Sequence, residues 1–475
     1  AASGEVAAKH ERRPRGAAEH LLTETVATPG LTREEASTVA LAGGDPGWLA
    51  ALRETALAAY REAPWPSSTR DEDWRRTPQI DKLDPGSYAE PNLDGDDQLP
   101  LYLRHALEGP LAAGEVSAVV ITDERGNLNS AAAAQATPSA DLALPLAAGL
   151  AAESDVWRAV AGVVTPPGLR KFVSLNTIRS RGGACIHVKQ GQQSAGYVRI
   201  LNGVSGGGLS FPRTLIRLEE GTSLTVVEEW VSPDADSSLL APVVEVELAR
   251  GAHLNHLIFQ RCGDQTVVQS TVRALVGQEA RYEVHWSMLG AAWQKSYFEV
   301  LLQGEASDAR LTGLSVGRMK QHYDVQTLQD HIARGAVSDL LYRVAVADRS
   351  RSVYAGLIRV EEGAQKTNAY VQNRNLLLSP VAKADSNPTL EILANDVRCT
   401  HGSTAGRIDD NQLFYCESRG VEKAQARRLI VEGFFADVID SFPEGSPRET
   451  VRGYVLEELE ELARTGALAG SSPAA

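Results

Sequence analysis

Cysteine, methionine and net positive charge are all scarce in this chain. Its 475 residues hold four cysteines, Cys185, Cys262, Cys399 and Cys416, and no Cys-x-x-Cys pair. That spacing excludes a disulfide framework and a zinc knuckle, and it suits a reducing cytoplasm. Lysine and arginine number 47 against 61 aspartates and glutamates, for a net charge of −14. A general nucleic-acid binder needs a basic face, so no nucleic-acid partner is expected. No apolar run approaches the roughly 18 residues of a membrane span, and no apolar signal core opens the sequence. The phosphate-cradling GxxxxGK[ST] loop is missing, as are GxSxG, HExxH and the protein-kinase set, so no nucleotide is expected to bind this chain itself.

Four regions stand out. Residues 1–45 are rich in Ala, Gly, Thr and charge and read as a disordered extension. Residues 46–170 read as an α-rich N-terminal domain. There Trp48, Leu49, Leu52, Leu57 and Tyr60 recur at helical spacing, Pro64 and Pro66 stop that helix, and Trp74 is expected to pack on it. From about Lys171 to residue 405 the texture is β. Val244, Val246 and Leu248 alternate with Glu245 and Glu247, and Tyr282, Val284 and Trp286 alternate with Glu283 and His285. Gly191, Gly221, Gly251, Gly277, Gly304, Gly335 and Gly363 punctuate this region at intervals of 30, 30, 26, 27, 31 and 28 residues. A period in the high twenties with β runs between permissive glycines predicts a β-helix, each coil buried on its neighbours. Residues 406–475 turn helical again, with a last helix over 449–463 and a disordered tail from Gly470.

The stretch from Asn395 to Tyr415, NDVRCTHGSTAGRIDDNQLFY, joins the β region to the helices. If extended, it puts Cys399 and His401 on one face, where thiol and imidazole form either half of a soft-metal site or a buried thiol beside a hydrogen-bonded histidine. His253 and His256, three apart on a strand, face opposite sides and make a poor metal pair. His285 and His322 read as polar-face residues, and Asp409-Asp410 as a helix N-cap.

The same stretch, followed by Ser418-Arg-Gly420, closely resembles the SufB/SufD family of iron–sulfur cluster assembly proteins. Pro46-Gly-Trp-Leu, Pro64-Trp-Pro, Trp74-Arg-Arg-Thr, Phe172-Val-Ser-Leu-Asn176, Asn373 to Pro380 and Pro388 to Ile392 agree with it, so the likeness runs over about residues 46–463. Thr400 and Gly402 stand where the SufB pattern carries glutamates, which makes the chain SufD-like. The resemblance implies a right-handed parallel β-helix between helical domains. It implies a non-catalytic scaffold that pairs with a SufB-like subunit, and a SufC-type ABC ATPase docked on the C-terminal helices. It also implies transient iron or a nascent cluster at the subunit interface, with His401 and Cys399 as this chain's metal-facing residues. The alternatives are a SufB paralogue, a SufD-like homodimer and, on the solenoid alone, a polysaccharide-active β-helix enzyme.

Overall fold

Apolar side chains recur at every second position from Gly183 onward, and each strand hydrogen-bonds in parallel to the strand one coil away. The computed structural model describes residues 46–92, 98–111, 116–128, 142–192, 194 and 196–469, so the extension read over 1–45 and the tail from Gly470 lie outside the described residues. Two sheets face each other. The first runs through Tyr197–Gly203, Ser223–Val231, His253–Arg261, Arg281–Met288, Asp308–Gly317, Val337–Val346, Asn368–Leu377 and Arg398–Arg407. The second runs through Gly183–Val188, Arg213–Leu218, Val243–Leu248, Thr266–Val276, Trp293–Leu302, His322–His331, Arg351–Val360 and Lys383–Ile392. The chain steps from sheet to sheet, giving a parallel β-solenoid of about eight turns with helices on either side of it in sequence, as the glycine period predicts.

The periodic glycines all fall at one corner, just after a strand of the second sheet. Gly191, Gly221, Gly251 and Gly335 adopt φ of 84°, 69°, 64° and 72°, where a Cβ is unfavourable. At Gly304 the reason is space, since an added Cβ would lie 1.9 Å from the backbone nitrogen of Gln278 in the coil before. Inside the solenoid Trp286 stacks on Phe298 at 4.2 Å, and Tyr342 follows at 5.7 Å. Buried Glu228 accepts hydrogen bonds from Asn202 (2.7 Å) and Trp230 (2.9 Å). His256 points inward to the Tyr282 hydroxyl at 3.0 Å, whereas His253 pairs outside with Glu283 at 3.1 Å, so the two diverge as strand geometry requires.

The N-terminal region is tied to the solenoid at several points. Helix α1 (Gly47–Glu62) shares an apolar cluster with Trp74 and Phe172, as expected for Trp74. Among the described residues three short α-helices follow, α2 (Leu101–Leu107), α3 (Leu146–Ala152) and α4 (Ser154–Arg158). The strand Val116–Asp123 pairs in parallel with Tyr197–Gly203 and so belongs to the first sheet. The segment from Lys171, read as β, opens instead with helix α5 (Lys171–Arg179); Phe172, Leu175 and Ile178 recur every three residues, and the first strand after it begins at Gly183. Outer-face residues of the second sheet are buried under this region. Glu245, read as a solvent-facing alternate, pairs with Arg213 and accepts from the N–H groups of Gly162 (3.0 Å) and Thr165 (2.8 Å). Lys295 donates to Asp324 (2.7 Å) and to the Asp73 carbonyl (2.8 Å), and the Thr77 hydroxyl bonds to both Asp324 and His322.

After the solenoid come α6 (Asp410–Ser418), α7 (Lys423–Ser441) and α8 (Ser446–Arg464). The last two lie on the outer face of the first sheet, where Phe435, Val438, Val451, Tyr454 and Leu459 cover Leu257, Phe259, Leu314 and Val316. His285 is buried there, 5.0 Å from the Phe442 ring, with no partner on either nitrogen; His322 is buried against Thr77. Both histidines are therefore interior residues, not polar-face ones, because helices and loops cover strand faces that alternate as if open to water. Among the described residues no helix is long and apolar enough to cross a membrane.

Two stability tests follow from these contacts. Gly304→Ala should cost on the order of 1–3 kcal/mol, read by urea unfolding, because backbone must move to admit the methyl group. Burial holds His285, His322 and His331 down to about 4, against 6.5 for the free side chain. Protons therefore bind the unfolded chain more readily. Stability is full above about pH 6.5 and falls as pH drops toward 4, by roughly 2 kcal/mol per histidine at pH 5. Equal unfolding midpoints at pH 7.5 and pH 5 would contradict this.

Candidate functional site

A coil in a solenoid buries its inward side chains only if coils lie on both sides of it. The N-terminal end is closed, since Ala143–Pro145 pairs antiparallel with Gly183–Val188, and Gly126–Asn127 folds back on Val116–Asp123. The C-terminal end is not. Among the described residues Lys383–Ile392 pairs only with Arg351–Val360, and Arg398–Arg407 only with Asn368–Leu377, so both sheets end there in an open edge. Pro388, which has no N–H to donate, sits in the first of these strands, where an edge tolerates it.

Cys399 and His401 lie on the last strand. Register sets Cys399 beside Ala369 and His401 beside Val371, both inward and buried in the coil before. Cys399 and His401 therefore share the inward face, as alternation predicts. The Cys399 side chain is half-buried against the interior cluster, while His401, lacking a further coil to cover it, is exposed. Burial raises the Cys399 thiol, so it is protonated near neutral pH, and ligation requires loss of that proton. The facing strand offers Ser386, Pro388 and Leu390 on its inward side, none of them a strong metal ligand. Among the described residues no group of three or more His, Cys, Asp or Glu could hold a metal ion. The chain thus presents two donors at an open edge.

Beyond Arg407 the chain turns into α6, capped as expected: the Asp409 carboxylate accepts from the Asn411 N–H at 2.9 Å. Only Leu413 of this helix is buried; Phe414 and Tyr415 are 71% and 61% exposed. Leu429 on α7 and Leu393 after the penultimate strand are exposed too. Cys416, on α6, is half-buried like Cys399, whereas the two remaining cysteines are buried. Cys185 donates to the Leu146 carbonyl and Cys262 to that of Trp230, and burial pushes Cys262 up to about 12 and Cys185 higher still. The buried Lys295–Asp324–Thr77–His322 cluster was not foreseen from the sequence. Thr77 and His322 are 245 residues apart, and only the Trp74-Arg-Arg-Thr77 motif hinted that this loop matters.

Comparison with known proteins agrees with the motif. The family model described as SUF system FeS cluster assembly, SufBD core domain, matches residues 200–434. The iron-sulfur cluster assembly protein SufD of Escherichia coli K12 is 30% identical over 308 residues, which are 63% of this chain and 72% of that protein. The chloroplastic protein ABCI7 of Arabidopsis thaliana is 30% identical over 299 residues, 60% of this chain and 62% of its own. The iron-sulfur cluster assembly protein SufD of Bacillus subtilis is 28% identical over 291 residues, 59% and 65%. Against these last two the chain spans just under two-thirds of the relative's length.

The thiols give a direct test of this geometry. Iodoacetamide on the native chain at neutral pH should label Cys399 and Cys416, slowly, and leave Cys185 and Cys262 untouched until denaturant is added. Mass spectrometry reads the order, and early labelling of Cys185 or Cys262 would refute the packing described.

Proposed function

We propose that this chain, which belongs to the SufB/SufD family of iron–sulfur cluster assembly proteins and is SufD-like, is a non-catalytic scaffold subunit whose open last coil is completed by a SufB-like partner. The observation that carries this reading is the pair of unpaired edges, one in each sheet, with His401 exposed beside them. Strand addition satisfies such edges by main-chain hydrogen bonds, and a second solenoid supplies two strands at once. Iron, or the nascent cluster, is cargo at that junction. Imidazole and thiolate both suit it, and a site that has two donors here takes the remainder from the partner chain.

Nucleotide hydrolysis falls to a separate SufC-type ABC ATPase. Its dock is the exposed apolar surface of α6 and α7, where Phe414, Tyr415 and Leu429 stand in solvent. Helix α7 is fastened to the first sheet by the ion pair from Arg343 to Asp437, and α8 to the turn after Asp308–Gly317 by that from Arg318 to Glu458, so force on them is passed to the solenoid. Truncation at Pro443 does not isolate such a dock, because α8 covers Phe259 and its neighbours. A cytoplasmic-type compartment suits the four free thiols.

Co-expression with a SufB-like chain and a SufC-type ATPase is expected to yield one complex by native mass spectrometry. In that complex, His401→Ala should lower iron affinity by at least the ~10-fold that loss of an outer-shell partner costs, with unchanged unfolding of this chain. Phe414→Ala with Tyr415→Ala should release the ATPase and spare the SufB-like partner. Recovery of homodimers alone, or full iron loading in the His401 variant, would sink the reading.

A further inference from the structure

Helices α7 and α8 cover the first sheet as one unit, and the residue that joins them is pinned at both ends. Phe442 follows α7 directly, and its carbonyl accepts from Arg448 of α8 at 2.8 and 2.7 Å. Its ring stacks on Phe259 at 6.2 Å and lies 5.0 Å from His285. His285 is 1% exposed, and among the described residues neither of its nitrogens has a hydrogen-bond partner. Register sets Leu257 and Thr312 beside it, and neither bonds to it. The Thr450 hydroxyl, on the buried side of α8, has no partner among the described residues either. An otherwise apolar seam thus holds two polar groups that gave up water and gained no replacement, and that cost opposes closure of the cover.

A neutral imidazole is tolerated in such a seam, but an imidazolium there has two charged donors and no acceptor. Burial accordingly holds His285 down to about 4. From the sheet, Glu283 favours its proton and is itself engaged by Arg281 and His253, while His256 and Arg281 oppose it. From the cover, the charged groups are already paired: Glu457 with Arg261, Glu458 with Arg318, Asp437 with Arg343 and Glu444 with Arg448. Glu229, beneath Tyr454, pairs with Arg199 at 2.6 Å. Burial raises Glu229 and Glu458, so the folded chain takes up their protons more readily than the unfolded one, and acid does not loosen the cover through them. His285 has the opposite sign.

We propose that His285 is an acid-sensitive release for the C-terminal cover: on gaining its second proton it displaces the Phe442 connector, and α7 and α8 open from the first sheet while the solenoid stays folded. Opening gives both nitrogens water as a partner. The cover is closed above about pH 6.5 and opens increasingly as pH falls toward 4. On the reading given above, in which α6 and α7 carry the ATPase dock, opening uncouples the ATPase from the solenoid.

The test is hydrogen exchange of the full chain, read by mass spectrometry at pH 7.5, 6 and 5 and corrected for intrinsic rates. Protection of α7 and α8 should fall about fourfold at pH 6 and about thirtyfold at pH 5, the share of one histidine moved from 6.5 to about 4. The solenoid strands, which open only with the whole chain and so also feel His322 and His331, should lose more at pH 5 from a higher starting level. In His285→Leu the loss in α7 and α8 should vanish, with circular dichroism reporting the fold; His285→Gln serves in its place should that variant not fold. Unchanged protection of α7 and α8 at pH 5, a loss equal to that of the solenoid strands, or the same loss in the variant would each overturn the proposal. The measurement needs no ATPase, so a failure of the docking reading leaves its outcome untouched.

Discussion

A parallel solenoid is held together by contact between successive coils, and that requirement shapes everything else here. Each strand spends its backbone groups on the coil before and the coil after, and each inward side chain is buried by both. The two ends are therefore the exceptions. One is sealed by short antiparallel strands that consume the free edges of Gly183–Val188 and Val116–Asp123. The other stops at Lys383–Ile392 and Arg398–Arg407, with its edges unspent among the described residues. An unpaired pair of edges on an otherwise satisfied sheet is a liability in a monomer and a template in a complex. The position of His401 is a consequence of that asymmetry.

The faces of the solenoid are treated differently from its ends. Helices α7 and α8 cover the apolar part of the first sheet, and the N-terminal region covers charged rows on the second. Those rows, Arg213–Glu245, Arg170–Glu299–Arg273 and Lys295–Asp324, are buried or nearly so. Pairs of this kind contribute little net stability against apolar isosteres, but breaking one leaves an uncompensated charge at a cost of about 3–5 kcal/mol. Their effect is to dictate where the N-terminal region lies. Thr77 and the N–H groups of Gly162 and Thr165 complete the hydrogen bonds that the buried carboxylates need.

Much of the fold was legible because solenoid periodicity is written in single residues. Gly304 has no room for a Cβ and Gly221 needs positive φ, so the spacing of such positions reports the coil length. Alternation likewise showed that Cys399 and His401 share a face and that His253 and His256 do not. The same rule failed at Glu245 and His285. Both alternate as solvent-facing residues, yet both are buried by segments far away in sequence, Gly162–Thr165 and Phe442. Helix α5 was missed because it is only nine residues long, too short for the threefold recurrence of Phe172, Leu175 and Ile178 to stand out against the β texture that follows.

By itself the sequence determined the coil period, the inward face of each strand, the cap at Asp409 and the motif that carries the family likeness, since each depends on residues within one turn or one coil. Tertiary structure alone decided exposure. His401 and Val371 occupy matching positions on neighbouring strands, yet one is exposed and the other buried, because burial of an inward side chain depends on whether a further coil follows it.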